Sequence, residues 1–116
     1  MSTKILYIKK NDLQPYYYVK AKHSDGTVID LTGATIYCTM KEVNGSIKID
    51  RQTTGINITD EDSGEFEYQW QNGDTDTLAL YNIEFEINPP LGGKFTLPVS
   101  PSDIARVKIV ASLDIT

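Results

Sequence analysis

Glu65-Phe66-Glu67-Tyr68-Gln69-Trp70 and Tyr81-Asn82-Ile83-Glu84-Phe85-Glu86-Ile87 are the two stretches that decide the fold. In each, apolar side chains alternate with polar ones. A period of two means a strand with one buried face and one wet face. The polar, turn-rich stretch Gln71-Asn72-Gly73-Asp74-Thr75 separates them. Parity therefore predicts that Phe66, Tyr68 and Trp70 share a core with Tyr81, Ile83, Phe85 and Ile87.

The same alternation extends outward on both sides. Ala34, Ile36, Cys38 and Met40 alternate with Thr35, Tyr37, Thr39 and Lys41. Asn44-Gly45 follows, the strongest hairpin signal in the chain, and leads into a strand over residues 46–50. Upstream, residues 16–22 and 27–31 read as strands joined by the turn His23-Ser24-Asp25-Gly26. Residues 55–58 read as a short strand, and Asp60-Glu61-Asp62-Ser63-Gly64 as a polar turn. Pro89-Pro90-Leu91-Gly92-Gly93 is loop, because proline cannot donate to a ladder. A short strand over 94–97 stops at Pro98, and a turn with one helical turn is expected at 101–103. Val107, Ile109, Ala111 and Leu113 form the inward face of a last strand, and Ile36, Cys38 and Val107 join the expected core. About eight strands and no strong helix indicate an all-β, two-sheet antiparallel sandwich.

Composition bounds function mainly by exclusion. A chain of 116 residues is one domain by size, expected here as a strand or arm over 1–11 and a single sandwich over 12–116. The net charge is −5 and the pI about 4.7, which disfavours a phosphate-binding surface and hence nucleic acid. A single cysteine permits no intrachain disulfide, and the Cys…Trp…Cys spacing of antibody domains is missing. The first ten residues contain no long apolar region of the secretory type, and no apolar run reaches the ~20 residues of a membrane helix. Synthesis and folding in a cytoplasm are expected.

Each candidate for chemistry has a plainer reading. Cys38 falls on an inward face and His23 in an exposed turn, so they cannot serve as a nucleophilic pair. Asp60, Asp62 and Glu65 offer hard oxygens around Gly64, yet an EF-hand loop is incomplete, with Ser63 and Gln71 at two ligand positions. No metal or other cofactor is expected. Glu65, Glu67, Glu84 and Glu86 would form an acidic patch if their strands were neighbours, and a solvated face is the simpler account. Tyr16 and Tyr18 fall opposite Tyr17, leaving at most part of the triplet free to stack on a sugar. At the N-terminus, Ile5, Leu6, Tyr7 and Ile8 are more apolar than a disordered tail favours. They are the candidate protein interface: either an arm that adds to a neighbour's sheet or the first strand of the chain's own.

One family resemblance runs along residues 14–111. It is carried by Val28-Ile29-Asp30-Leu31-Thr32-Gly33-Ala34-Thr35, the Gly64 to Trp70 stretch, Gly73-Asp74-Thr75, the Tyr81 to Ile87 stretch and Gly92-Gly93-Lys94-Phe95-Thr96-Leu97-Pro98. In order and spacing these resemble the N-terminal immunoglobulin-like domain of phage baseplate upper proteins and related phage tail proteins. Leu80 stands where that family usually has glycine. The resemblance implies an immunoglobulin-like sandwich and a non-enzymatic virion part, in tail, baseplate or head. It implies other virion proteins as partners, a homo-oligomer, and no catalytic residues. Because this chain ends straight after the domain, a stand-alone subunit, a truncated piece of a longer protein or a small head or tail accessory protein is expected. A module binding a host-surface glycan is the alternative.

Overall fold

The computed structural model describes residues 2–23, 25–98 and 103–111. Nine strands follow one another: β1 (Ser2–Lys9), β2 (Tyr17–Lys20), β3 (Thr35–Glu42), β4 (Ile47–Gln52), β5 (Ile56–Asp60), β6 (Glu65–Tyr68), β7 (Ala79–Asn88), β8 (Phe95–Leu97) and β9 (Asp103–Val110). They make two sheets. The large one runs β1-β9-β7-β3-β4, with β8 also on β7; the small one runs β2-β6-β5. This is an immunoglobulin-like β-sandwich. β2, β6 and β5 take the places of strands B, E and D, while β9, β7, β3 and β4 take those of G, F, C and C′.

Among the described residues all pairings are antiparallel except one. β1 lies parallel to β9 over eight consecutive residue pairs, from Ser2↔Asp103 to Lys9↔Val110. The antiparallel sandwich expected from the sequence thus carries one parallel pair at its edge. Parallel pairing between the first and last strands needs a long crossover, and the rest of the sandwich is that crossover. β8 and β9 share one edge of β7. Phe85 pairs with Leu97 and Asn82 with Arg106, so three steps along β7 are matched by nine along the partner. One strand position is thus filled in two pieces, and Pro98 sits at the break.

The core is the set that alternation singles out. Phe66, Tyr68, Trp70, Tyr81, Ile83, Phe85, Ile87, Ile36, Cys38 and Val107 are all buried in one cluster. Phe66 meets Phe85 edge-on across the two sheets at 5.1 Å, and Tyr68 meets Trp70 the same way at 5.3 Å. Such geometry sets a ring's positive edge against another's negative face. Tyr81 has a second task. Its hydroxyl donates to the Thr77 carbonyl four residues upstream, at 3.1 Å. That bond is the tyrosine corner of immunoglobulin-like folds, and it pins the entry to β7.

Two local expectations need correction. Residues 27–31 are not a strand: only the single bridge Lys22↔Val28 forms, and Asp30 instead accepts from the Thr32 amide and hydroxyl in a local turn. Competing side-chain bonds of this kind draw the backbone away from a ladder. Ala111 is exposed beyond the end of β9 and is not part of the inward face. Of the turn expected at 101–103, Asp103 already belongs to β9, while Pro101 and Ser102, like Leu113, lie outside the described residues.

Gly64 shows why the turn before β6 requires glycine. Its φ is +70°, and an added Cβ would lie 2.7 Å from the Ile29 carbonyl oxygen and 2.8 Å from that of Ala21. The Gly64 carbonyl accepts from the Ala21 amide at 2.7 Å. Close backbone approach and left-handed conformation coincide here.

Burial also fixes the response to alkali. Burial pushes the Tyr17 hydroxyl up to about 12, and burial followed by the bond to Asp74 pushes Tyr68 higher still. Both groups stay neutral in the folded state while the unfolded chain ionises near the ordinary tyrosine value of about 10. Their contribution is complete below pH ~10 and is lost as pH rises through the folded values. The share of tyrosinate absorbance that belongs to Tyr17 and Tyr68 should therefore appear only together with loss of far-ultraviolet strand signal. Full tyrosine ionisation with the sheet signal intact would refute this.

Candidate functional site

The large sheet presents its outer face and one bare edge. Lys41 pairs with Ile47 and with Asn82, Asn82 with Arg106, and Arg106 with Ile5. These five residues form one row across β4, β3, β7, β9 and β1. The adjacent row holds Leu80, Lys108 and Tyr7, with the Val43 amide donating to the Leu80 carbonyl at its end. Ile5, Tyr7, Val43 and Ile47 are exposed, Tyr7 and Ile47 to 60% each. Lys41, Arg106 and Lys108 stand among them, and the two rows carry no carboxylate. Arg106 is steadied by donating from Nε to Asn82 Oδ1 at 3.1 Å. The result is an apolar face with a positive charge on an acidic protein.

The opposite end of that face is polar and internally paired. Arg51 donates to Glu86 at 2.7 Å and lies 4.3 Å from the centroid of the Tyr37 ring. Glu86 also accepts from Asn88 at 3.0 Å, and the Arg51 and Asn88 bonds hold its carboxyl below the usual carboxylate range. Arg51 reaches this position from a bulge. Cys38↔Gln52 is followed by Met40↔Ile49, one residue more on β4 than on β3, and Arg51 has φ 44°.

The N-terminal candidates divide by parity. Ile8 is buried, Leu6 is half-buried against the core, and Ile5 and Tyr7 face out. All four lie in β1, so the segment is a strand of the chain's own sheet. It is at the same time that sheet's edge, with one side unpaired among the described residues.

Other sequence candidates are kept apart. Glu65 and Glu67 belong to the small sheet, Glu84 and Glu86 to the large one, so they form no common patch. Glu65 lies 3.8 Å from Lys20, and Glu67 accepts from Asn57 and Gln69. His23 is exposed beside Phe95, while Cys38 is fully buried. Burial, with Asp74 nearby, pushes the Cys38 thiol far above its usual value and leaves it a poor nucleophile. In the acidic turn, Asp60 Oδ1 accepts from the Ser63 amide at 3.3 Å, a local closure of the turn. Among the described residues no group of three or more His, Cys, Asp or Glu side chains gathers to hold a metal. Tyr17 is buried, and Tyr16 and Tyr18 are exposed.

Sequence reasoning missed Asp74. It is buried, accepts from the Tyr68 hydroxyl at 2.7 Å and from the Gln71 amide at 2.8 Å, and so locks the loop between β6 and β7. Next to it, Thr75 donates to the Asp12 carbonyl at 2.9 Å and accepts from the Asn11 amide at 2.9 Å. This loop ties the exit of β1 to the body. Its signal was present as Gly73-Asp74-Thr75, a spacing that reads as an ordinary turn.

No protein-family model and no curated protein matches this chain.

Proposed function

We propose that the chain is a non-enzymatic bacteriophage virion protein, a structural or adaptor subunit of tail, baseplate or head that acts by protein–protein contact. The observation that carries this reading is the outer face of the large sheet. Exposed Ile5, Tyr7, Val43 and Ile47 surround Lys41, Arg106 and Lys108 on a sandwich that has no buried side-chain polar atom lacking a partner among its described residues. Grouped apolar exposure of this kind marks a contact surface. The positive charge favours partners with acidic surfaces, which other virion proteins would supply. The phage assignment itself rests on the resemblance along residues 14–111. Its motif elements fall on structural joints: Leu31 to Ala34 lead into β3, Gly64 opens β6, and Tyr81 forms the corner of β7.

The test is particle composition. Gradient-purified virions of the phage that encodes this chain should contain it at fixed copy number by quantitative mass spectrometry. Purified particles without it overturn the proposal. Tyr16 and Tyr18, both exposed at the start of β2, support the second reading, a module for a host-surface glycan. Specific glycan-array binding that is lost in Tyr18→Ala, together with absence from particles, would favour that reading instead.

A further inference from the structure

Among the described residues the two sheet orders end on β1 and β4 and on β2 and β5, and three of these four end strands are blunted. On β4, two register shifts and the left-handed Arg51 break the ladder. On β5, a register shift falls between Ile58 and Asp60. β2 is four residues long and begins two residues after Pro15. Short strands, bulges, proline and lysines are ways native edges avoid pairing with another chain. β1 is eight residues long with no bulge or proline, and its lysines, Lys4 and Lys9, flank its apolar centre without interrupting it. Its ladder to β9 is regular over eight pairs, and its centre is the apolar run Ile5 to Ile8.

We infer that β1 is a two-fold dimerisation edge, pairing antiparallel with β1 of a second copy to make one continuous sheet. The inference rests on the contact-protein reading and names its partner. Lys10 donates its amide to the Val110 carbonyl, so even-numbered residues of β1 turn their backbone groups toward β9. Odd-numbered residues, Ile5 and Tyr7 among them, turn theirs to the open edge. An antiparallel partner must satisfy these groups in residue pairs that exchange two bonds each.

Side-chain chemistry then selects the register. With Leu6 on the two-fold axis, Ile5 of each copy faces Tyr7 of the other, and Leu6 faces Leu6. Lys4 falls opposite Ile8 and Lys9 opposite Thr3, so no lysine opposes a lysine. Moving the axis to Tyr7 sets Lys4 opposite Lys10; moving it to Ile5 sets Tyr7 opposite Thr3 and loses the apolar pairs. The self-complementarity argues for a second copy as occupant. Leu6 supplies a further reason. It lies on the edge strand and is only half-buried against the core. A two-fold mate brings its own Leu6 onto the same spot.

The register can be read by disulfide trapping. Leu6 pairs with Leu6 at a non-hydrogen-bonded site, where Cα atoms lie about 4.5 Å apart, within disulfide reach. The native Cys38 is buried and does not compete. Leu6→Cys should form a covalent dimer under mild oxidation, several-fold faster than Ile5→Cys or Tyr7→Cys, whose self-pairs are diagonal. Sedimentation should show the unmodified protein as a dimer, and the exposed-site variant Tyr7→Lys, folded by circular dichroism, should dissociate at least tenfold more readily. A monomer at all concentrations up to about millimolar overturns the inference. So does a dimer that Leu6→Cys fails to trap, or one trapped fastest by Tyr7→Cys. A monomer that is nonetheless found in purified virions removes this dimer and leaves the virion reading intact; a trapped dimer absent from virions does the reverse.

Discussion

Trp70→Ala is expected to lower the free energy of unfolding by about 3–5 kcal/mol, the usual cost of emptying a large buried aromatic site. Trp70 is 3% exposed at the end of the Phe66-Tyr68 face, where its ring meets Tyr68 edge-on. Its indole Nε1 donates to the Pro15 carbonyl at 2.8 Å, fixing the approach to β2. Truncation therefore opens a cavity and frees a backbone carbonyl together. Trp70→Phe refills much of the volume and should recover most of the loss, leaving about 1 kcal/mol for the hydrogen bond. Urea unfolding followed by circular dichroism measures both variants. A loss under 1 kcal/mol for the alanine variant would mean that the site collapses freely, contrary to its packing.

Asp74→Ala should cost about 3 kcal/mol, because hydrogen bonds to a charged group contribute about 1.5–3 kcal/mol and this carboxylate accepts two. The Tyr68 hydroxyl would be left with only the Gln52 amide at 3.4 Å, and the Gln71 amide would lose its acceptor. Asp74→Asn keeps an acceptor in place and should lose about half as much. Combining Asp74→Ala with Tyr68→Phe gives the decisive comparison. The double variant should be less destabilised than the sum of the two, since removing both partners leaves no stranded hydroxyl. Strict additivity would show that the bond contributes nothing to the loop.

Alternation made the inward faces legible because it is a local property. Phe66 to Trp70 and Tyr81 to Ile87 needed no knowledge of the rest of the chain to be placed in the core. Pairing is not local. Nothing in the spacing of Glu65, Glu67, Glu84 and Glu86 says that β6 and β7 belong to different sheets. The parallel placement of β1 beside β9 was invisible for the same reason, since it depends on contacts about a hundred residues apart. Residues 27–31 carry strand-forming Val28 and Ile29, yet Asp25 and Asp30 close turns with Thr27 and Thr32 that break the segment up. Asp74 and the Tyr81 corner went unread because a buried polar partner is recognised only when the group it serves is known. The candidate surface was half legible. Ile5 to Ile8 stood out as an apolar run, but its union with Val43, Ile47 and Lys108 required the cross-strand register.

The parallel β1–β9 pair also governs how the molecule carries load. β1 starts beside the start of β9, so Ser2 and Val110 lie at opposite ends of the ladder. Tension between those two points pulls the strands along each other in opposite senses. Every rung of the ladder is then loaded at once, in shear, and none can open first as in a zipper. A force applied across this fold from its first strand to its last meets it in its stiffest direction.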